Sequence, residues 1–243
     1  NAHAIVRGEM PDLGCRTGDF FFLEQPDAFA QQRLVVDLVS RRLPKSYGYD
    51  PLRDIQVITP AKQGPLGTRE LNRLLQGKLN PPERGKGEAT LMGRTLREGD
   101  KVMQIRNNYD IIWQQPDGTA GTGIFNGDMG IIEMLDPGSK TIQVRFEEKL
   151  ATYSFENQDQ LEHAYAVTVH KSQGSEFEAV VMPLERRHPK LHYRNLLYTA
   201  VTRARKLLIM TGQKETVYAM VQNNRRTLRY TNQKEMLQEM CDE

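Results

Sequence analysis

The sequence predicts an α/β fold in which a doubly wound parallel sheet is interrupted by a small antiparallel β-barrel. Strands alternate with helices over residues 20–79 and short segments join them, an order typical of a doubly wound parallel sheet. Over residues 92–158 short strands follow one another without helices, which favours an antiparallel barrel. The strand–helix order then returns. We therefore predict one discontinuous α/β domain, residues 1–91 and 159–243, with the barrel inserted at residues 92–158.

The elements of the α/β part are predicted from apolar patterns. Phe20–Leu23 and Ile55–Ile58 are short apolar runs, as buried strands are. Apolar residues recur with helical spacing over residues 27–43, and Pro44 ends this predicted helix. A second helix is expected after Ile58 because leucines stripe one helical face. These leucines are Leu71, Leu74, Leu75 and Leu79.

The predicted barrel consists of short strands separated by turn residues. Asn126-Gly127 and Asp136-Pro137-Gly138 are turn signals. Gln114–Gly123 is polar and glycine-rich, and we expect a mobile loop there. The strands are predicted at residues 102–105, 129–132, 142–146 and 151–155.

Two long strings mark the last part of the chain. The first, Ala166–Phe177, is a polar turn between two apolar strands. The strand after it is apolar on both faces, which indicates burial in a parallel sheet. So polar a turn is expected at the edge of the sheet, where ligands bind in open α/β folds. The second string, Arg194–Ala204, lies on a helix predicted from His192 to Arg205.

Composition and charge exclude several classes of protein. Hydrophobic residues make up 38% and charged residues 26% of the 243 positions, as in an ordinary globular protein. No apolar run of about 18 residues occurs, so no membrane partner is expected, and no signal-peptide pattern opens the chain. The two cysteines, Cys15 and Cys241, form no zinc motif, and a reducing cytoplasm is expected. The net charge of +2 neither requires nor excludes nucleic acid.

The groups needed for nucleotide hydrolysis are incomplete in this sequence. Gly118–Gly123 lacks the lysine of a phosphate loop, and Lys171-Ser172 lacks the preceding glycines. The apolar strand that leads to Glu185 carries no Asp-Glu pair for Mg²⁺. Phosphoryl transfer would then lack its main electrostatic parts. We expect no metal site, no bound cofactor and no ATP hydrolysis in this chain alone.

In order and spacing the two strings resemble motifs V and VI of superfamily 1 helicases, and most closely those of the RecD/TraA family of 5′→3′ DNA helicases. Asn1-Ala2-His3 is similar to a string just after motif III of that family, so we expect the sequence to begin there. The resemblance implies a RecA-like domain 2A with an inserted SH3-like barrel, domain 2B. It implies ATP and Mg²⁺ as cofactors of the full-length protein. The implied partners are single-stranded DNA and an N-terminal RecA-like domain that carries the phosphate loop.

The resemblance assigns DNA contacts to two parts of the chain. Thr168, His170 and Lys171 of motif V are expected to bind phosphates and sugars of the strand, which position it without reading its sequence. In the predicted barrel, basic and amide groups beside aromatic residues suit a single-strand groove, and the family's barrel contacts DNA. The basic and amide residues are Lys101, Gln104, Arg106, Asn107, Asn108 and Asn126, and the aromatic residues are Tyr109 and Phe125. The alternatives are a structural turn and an ordinary polar surface.

The resemblance also assigns nucleotide contacts. Glu176 is expected near the ATP ribose, or else caps a turn, and Arg203 corresponds to the arginine finger of motif VI. Arg203 borders the apolar face of its predicted helix, and Arg205 points away from that face. The alternative role for Arg203 is a structural salt bridge. Lys62 stands where related helicases carry an arginine, and it is the candidate for a second phosphate contact. The remaining expected nucleotide contacts are Gln173 and Gly174.

Three functions are compatible with these residues. The first is the C-terminal motor half of a 5′→3′ DNA helicase. The second is a stand-alone module that binds single-stranded nucleic acid and never meets ATP. The third is a helicase-derived structural or regulatory segment with neither activity. Arg203 favours the first, because DNA binding alone needs no arginine finger.

We predict that the purified 243-residue chain hydrolyses no ATP, because it lacks a phosphate loop and a carboxylate pair for Mg²⁺. Phosphate release would be measured with Mg²⁺-ATP, with and without single-stranded DNA. Mg²⁺-dependent turnover that follows the chain through every purification step would contradict the prediction.

Overall fold

The structure is a computed structural model that describes residues 1–187 and 191–224. The helices are α1 (Ala2–Arg7), α2 (Ala28–Asp37), α3 (Leu43–Tyr47), α4 (Thr68–Leu79), α5 (Arg194–Val201) and α6 (Lys214–Gln222). The strands are β1 (Phe20–Glu24), β2 (Ile55–Thr59), β3 (Glu88–Leu91), β4 (Arg94–Arg97), β5 (Lys101–Gln104), β6 (Asn108–Gln114), β7 (Ala120–Ile124), β8 (Met129–Asp136), β9 (Thr141–Phe146), β10 (Lys149–Ser154), β11 (Leu161–His163), β12 (Ala166–Thr168), β13 (Phe177–Pro183) and β14 (Ala204–Gly212). A π-helical turn, Leu38–Arg42, joins α2 to α3, and a 3-10 helix spans Phe155–Gln160.

A five-stranded parallel sheet forms the α/β part of the molecule. Its strand order is β1-β14-β13-β2-β12, and all neighbouring strands run parallel. Successive strand residues point to opposite faces. Val57 therefore packs with residues of α2 and α4, whereas Ile58 packs with residues of α1, α5 and α6. Helices cover both faces, which confirms the predicted doubly wound sheet.

The helix predicted from His192 to Arg205 is shorter than expected. The helix α5 ends at Val201, and Ala204 already begins β14, which lies between β1 and β13 in the sheet. Residues 207–212 of β14 are buried, so an apolar strand follows the helix after only a two-residue turn. Arg203 lies in that turn and not on the helix, which corrects the prediction.

A seven-stranded antiparallel sheet with the order β11-β5-β8-β9-β10-β6-β7 interrupts the α/β part. This confirms the inserted antiparallel unit. Within Gln114–Gly123, where a loop was expected, residues 115–119 form the turn of a hairpin and the flanking residues belong to β6 and β7. Gly118 lies in the turn with a φ of 87°. Gly121 allows the two strands to pair, since a Cβ atom there would lie 2.4 Å from the ring of Trp113.

A separate hairpin, β3–β4, precedes the antiparallel sheet and was not predicted from the sequence. Its turn consists of Met92 and Gly93, with φ angles of 48° and 74°. Two positive φ angles suit the right-handed twist of a hairpin. The left-handed conformation is unfavourable for a side chain as large as that of Met92.

The buried carboxylate of Asp100 joins α4, the hairpin and the segment that leads into β12. Burial disfavours its charge, but hydrogen bonds from His163 and Asn80 outweigh burial and hold the pKa of Asp100 below the ordinary value of 3.8. The carboxylate accepts hydrogen bonds from Gln76 Nε2 (2.7 Å), Asn80 Nδ2 (2.6 Å), Tyr165 Oη (2.8 Å) and the Arg97 amide (2.8 Å), and His163 Nε2 lies 3.1 Å away.

The next residue, Lys101, connects the two sheets directly. Its ammonium group donates a hydrogen bond to the carbonyl of Ile55 at the start of β2, at 3.4 Å. Burial lowers the pKa of Lys101 to about 8, although Asp50 and Asp54 favour its charged form.

No helix within residues 1–187 and 191–224 is long and apolar enough to cross a membrane. Cys15 is a free thiol, and Cys241 lies outside the described residues, as does the end of the predicted α/β segment. Within the described residues, no group of three or more His, Cys, Asp or Glu side chains could hold a metal ion.

We predict that Asp100→Ala lowers the free energy of unfolding by about 3 kcal/mol or more. The substitution leaves buried donors on Gln76, Asn80 and Tyr165 without their acceptor, and each such donor costs about 1–3 kcal/mol. Urea denaturation measures the change. Asp110→Ala removes an exposed carboxylate and should change stability by about 0.5 kcal/mol or less.

The stabilising effect of Asp100 should depend on pH in a defined direction. Its pKa is lower in the folded protein than the ordinary 3.8, so the carboxylate stabilises the fold above that pH. The contribution is lost as the pH falls through the folded-state pKa. The stability difference between the wild type and Asp100→Asn should therefore shrink in acid. A difference that grows below pH 4 would contradict the assignment.

Candidate functional site

The segment between β12 and β13 carries the first string from one edge of the parallel sheet to the other. Thr168 at the end of β12 lies beside Thr59 at the end of β2, whereas Ala179 in β13 lies beside Ile55, where β2 begins. The sequence predicted one polar turn at a single edge. The structure separates the string into a carboxyl-edge group and an amino-edge group, and this corrects that expectation.

Ser172 fixes the path of this crossing segment. Its side chain is fully buried, and its hydroxyl donates a hydrogen bond to the carbonyl of Val169 at 2.8 Å. Its amide binds the carbonyl of Thr168 at 3.1 Å. Gly174 then turns the chain with a φ of 88°, a conformation that glycine adopts at little cost. Local hydrogen bonds therefore set the positions of both groups.

The carboxyl-edge group contains Thr168, His170, Lys171 and Lys62. Thr168 is buried, Lys171 is half-buried, and His170 and Lys62 are exposed. The Nε2 atom of His170 lies 3.4 Å from the hydroxyl of Tyr193. Burial lowers the pKa of Lys171; Glu162 opposes this shift, and the nearby charge of Lys62 adds to it. Lys62 therefore lies with the expected DNA contacts and not with Arg203.

A groove of about 900 Å³ opens beside this carboxyl-edge group. One wall is α4, the other is the hairpin β3–β4, and residues at the end of β12 form its floor. Thr168, Lys171 and Lys62 all line it. Four arginines that were not predicted from the sequence also line the groove, namely Arg69, Arg73, Arg94 and Arg97. The i, i+4 spacing of the first two was the available signal, because it puts them on one helical face.

The amino-edge group contains Arg203 and the second half of the first string. The guanidinium of Arg203 donates to the Ser175 carbonyl, the Thr199 carbonyl and the Thr202 hydroxyl, each at 3.1 Å. The Arg203 carbonyl accepts a hydrogen bond from the amide of Phe177 at 2.9 Å. The two strings are thus joined directly. Gln173, Gly174 and Glu176 are exposed here.

Arg203 forms no ion pair with any residue that the structure describes. A guanidinium has five N–H donors, and three hydrogen bonds from Arg203 go to uncharged acceptors, so two donors and the full charge remain. Arg203 is thus half-buried and held by uncharged acceptors from both strings. Within the described residues it does not form the structural salt bridge considered as the alternative.

Arg205 does not point away from the site, as the sequence predicted. Arg205 is the second residue of β14, and its Nε donates to a Glu176 carboxylate oxygen at 3.0 Å. The error follows from the wrong helix, because alternation along a strand replaces helical spacing after Ala204. Both side chains are more than half exposed, so the pair contributes little to stability.

The barrel residues expected at DNA form a cluster on the antiparallel sheet. Asn107 Oδ1 accepts a hydrogen bond from the Asn126 amide at 2.9 Å, and Arg106 pairs with Asp159. Beside them the exposed rings of Tyr109 and Phe125 meet edge to face, with centroids 5.7 Å apart. The structure brings Arg106, Asn107 and Asn126 together, although Arg106 already has an acidic partner. Lys101 and Gln104 are buried instead, which corrects the expectation that they face DNA.

Two ranges of the chain match known protein families. Residues 71–146 match the SH3 domain of ATP-dependent RecD-like DNA helicases. Residues 163–211, which contain both strings, match the UvrD-like helicase C-terminal domain. The chain belongs to the RecD-like helicases of superfamily 1. The antiparallel sheet of this RecD-like chain is therefore its SH3-like unit, and the parallel sheet carries helicase motifs V and VI.

Individual relatives agree with this family. The RecD-like chain is 33% identical over 211 residues to the ATP-dependent RecD2 DNA helicase of Deinococcus radiodurans, which covers 87% of the chain and 26% of the relative. It is 26% identical over 172 residues to the RecD subunit of the RecBCD enzyme of Buchnera aphidicola, over 70% of the chain and 26% of the relative. The chain thus spans about a quarter of the length of these curated relatives.

Among solved structures, the chain resembles the Pif1 helicase from Bacteroides in complex with ADP-AlF3 and ssDNA. The match covers 99% of this chain and 52% of that one, at 15% identity and a TM-score of 0.48. The Pif1 helicase from Candida albicans matches 99% of this chain and 56% of its own, at 15% identity and a TM-score of 0.47.

We predict that Arg203→Ala lowers the free energy of unfolding by about 1–3 kcal/mol, because three hydrogen bonds from a charged group are lost. Arg205→Ala is the matched comparison and should cost about 0–1 kcal/mol, since it removes one exposed ion pair. Urea denaturation of both variants measures the difference. Equal losses would mean that the Arg203 guanidinium is not fixed.

Proposed function

We propose that this chain is the C-terminal motor portion of an ATP-dependent 5′→3′ DNA helicase. The observation that carries the proposal is the amino-edge group, where Arg203 keeps its charge and two donors free beside Glu176. The residues expected at DNA lie at the opposite edge of the sheet. An enzyme that couples ATP to movement on DNA needs both groups, whereas a DNA-binding module needs only the second.

In this proposal an N-terminal RecA-like domain supplies the phosphate loop and holds ATP and Mg²⁺. The described residues contain no acidic cluster for the metal, and in this proposal the chain contributes a cation, Arg203, to the nucleotide site. The remaining donors of Arg203 would bind the γ-phosphate, because a guanidinium matches phosphate oxygens in a bidentate manner. Glu176 would accept hydrogen bonds from the ribose, because a carboxylate has about four acceptor sites and Arg205 donates to only one of its oxygens. Gln173 and Gly174 would lie beside the same nucleotide.

Single-stranded DNA is the proposed second partner. Thr168, His170 and Lys171 would bind its phosphates and sugars at the carboxyl edge. Because Lys62 lines the same groove as Lys171, we assign it to DNA in preference to the γ-phosphate. On the SH3-like unit, Asn107, Asn126 and Arg106 would extend these contacts. Such contacts to the sugar–phosphate backbone confer little sequence preference.

The alternative function is a stand-alone module that binds single-stranded nucleic acid. The basic groove alone would suit it. Two features favour the helicase instead, namely an Arg203 that has no acidic partner in the described residues and the hydrogen bonds that join motifs V and VI. Neither feature would help a protein that only binds a strand.

The test is the Arg203→Ala variant of the protein in which this chain is joined to its phosphate-loop domain. DNA-stimulated ATP turnover should fall by about 10³–10⁵-fold, as for other arginine fingers, while single-strand binding stays near wild type. Arg203→Lys should also have a low ATP turnover, because a lysine ammonium cannot bind two phosphate oxygens in the bidentate manner of a guanidinium. Thermal melts would establish that both variants are folded at the assay temperature.

Arg33→Ala is the control for this experiment. Arg33 is exposed on α2 and forms no ion pair within the described part of the chain, so its removal should leave turnover unchanged. Arg205→Ala is unsuitable as a control because Arg205 contacts Glu176. Wild-type turnover in a folded Arg203→Ala protein would disprove the assignment of Arg203 as the arginine finger.

A further inference from the structure

The groove beside the carboxyl edge carries a concentration of positive charge that the chain as a whole does not have. The net charge of the 243 residues is only +2, yet one acid, Glu162, faces six basic side chains in the groove. Basic composition therefore cannot account for this arrangement. The six are Lys62, Arg69, Arg73, Arg94, Arg97 and Lys171.

Two of these six cations are already paired. Arg73 binds Glu70, and Arg97 binds Glu88. The other four form no ion pair with any described residue. Burial is the main cause of the lowered pKa of Lys171, and the nearby charge of Lys62 adds to that shift, although Glu162 opposes it. A site of this kind is matched to a polyanion.

Buried amide side chains on α4 form hydrogen bonds to the floor of the groove and to the hairpin wall. The groove is therefore preformed. Asn72 on α4 accepts a hydrogen bond from the Ala166 amide at 2.7 Å and donates to its carbonyl at 2.9 Å. Gln76, one turn further along α4, donates to the carbonyl of Thr95 in the hairpin at 2.8 Å. Arg94 also donates from Nη1 to the Leu161 carbonyl at 2.8 Å, and its other N–H groups remain available.

We propose that this groove continues the path of single-stranded DNA, with Arg69 and Arg94 as further phosphate contacts and Met92 as an apolar contact to a base. The inference rests on the proposed function, because the groove begins at Thr168 and Lys171. The basic groups lie along the α4 wall and the hairpin wall, which suits a row of phosphates better than one small anion. Arg69 is exposed, and within the described part of the chain its side chain forms no hydrogen bond or ion pair, so it is available to a ligand.

The hairpin tip selects a single strand over a duplex. Met92 lines the groove, is 78% exposed and adopts a φ of 48° that its side chain disfavours. An exposed apolar side chain can pack on the face of a base, and the base faces of a single strand are open. In a duplex mainly the base edges are accessible, and an apolar side chain reaches a base face only by unstacking a base step at a cost of a few kcal/mol. The contact therefore favours a single strand.

The test is the affinity of the chain for a fluorescent oligodeoxythymidylate, measured by anisotropy at several salt concentrations. Arg69→Ala and Arg94→Ala should each weaken binding several-fold and reduce the slope of log affinity against log salt by about 0.7, the value for one phosphate contact on a single strand. Arg69→Lys keeps the charge and should preserve the slope. Arg53→Ala, an exposed arginine at the opposite edge of the sheet, should bind like the wild type.

Met92→Gly separates the base contact from the phosphate contacts. It should weaken binding without changing the salt slope, and it should not lower the melting temperature, because glycine accepts a positive φ. A blunt duplex of the same length should bind more weakly than the single strand. Equal or tighter duplex binding, lost in the arginine variants, would overturn the choice of a single strand.

The outcomes distinguish this inference from the function on which it rests. If the wild-type chain binds no single strand, the DNA track of the proposed function fails as well. If the wild type binds and Lys171→Ala weakens it, while Arg69→Ala and Arg94→Ala bind normally with an unchanged slope, only the groove is disproved. Thermal melts of each variant would separate loss of contacts from loss of fold.

Discussion

The buried carboxylate of Asp100 positions the elements that surround the groove. It accepts hydrogen bonds from α4 through Gln76, from the residue after α4 through Asn80, and from Tyr165 just before β12. Burying a charge away from water is costly unless hydrogen bonds satisfy its lone pairs. The donors to Asp100 come from segments that lie far apart in the sequence. The hairpin, α4 and the segment that leads into β12 therefore adopt one arrangement together, and β5 of the antiparallel sheet begins at the next residue, Lys101.

The crossing segment between β12 and β13 gives the two candidate groups a fixed relation. Thr168 and Lys171 lie at one edge of the parallel sheet, and Glu176 lies at the other beside Arg203. Ser172 is fully buried between them and bonded to its own turn. A displacement at either edge must therefore move a short, hydrogen-bonded segment as a unit. Packed elements of this kind transmit small shifts because they do not deform continuously.

The sequence predicted the layers of the fold well, because burial on both faces leaves a local pattern in strands such as Ile55–Thr59. The local pattern gave a wrong prediction where the helical spacing of α5 changes to the alternation of β14, and the predicted helix extended through Arg203 into β14. The motifs identified Arg203 and Glu176, but the contact between Glu176 and Arg205 depends on strand register. The role of Asp100 could not be predicted from the sequence, because its partner Tyr165 is 65 residues away and no pattern near Asp100 in the sequence indicates this role.

The position of β14 between β1 and β13 has a consequence for how the chain acquires its structure. Because β1 pairs only with β14 among the described strands, β1 must wait for the strand that comes last of the described strands in the sequence. Until residues 204–212 emerge from the ribosome, β1 has no neighbour and β13 presents an open edge. Such long-range pairing is slow, and unpaired edges are prone to aggregation. Chains that end before β14 should therefore need chaperones more than chains that end after it.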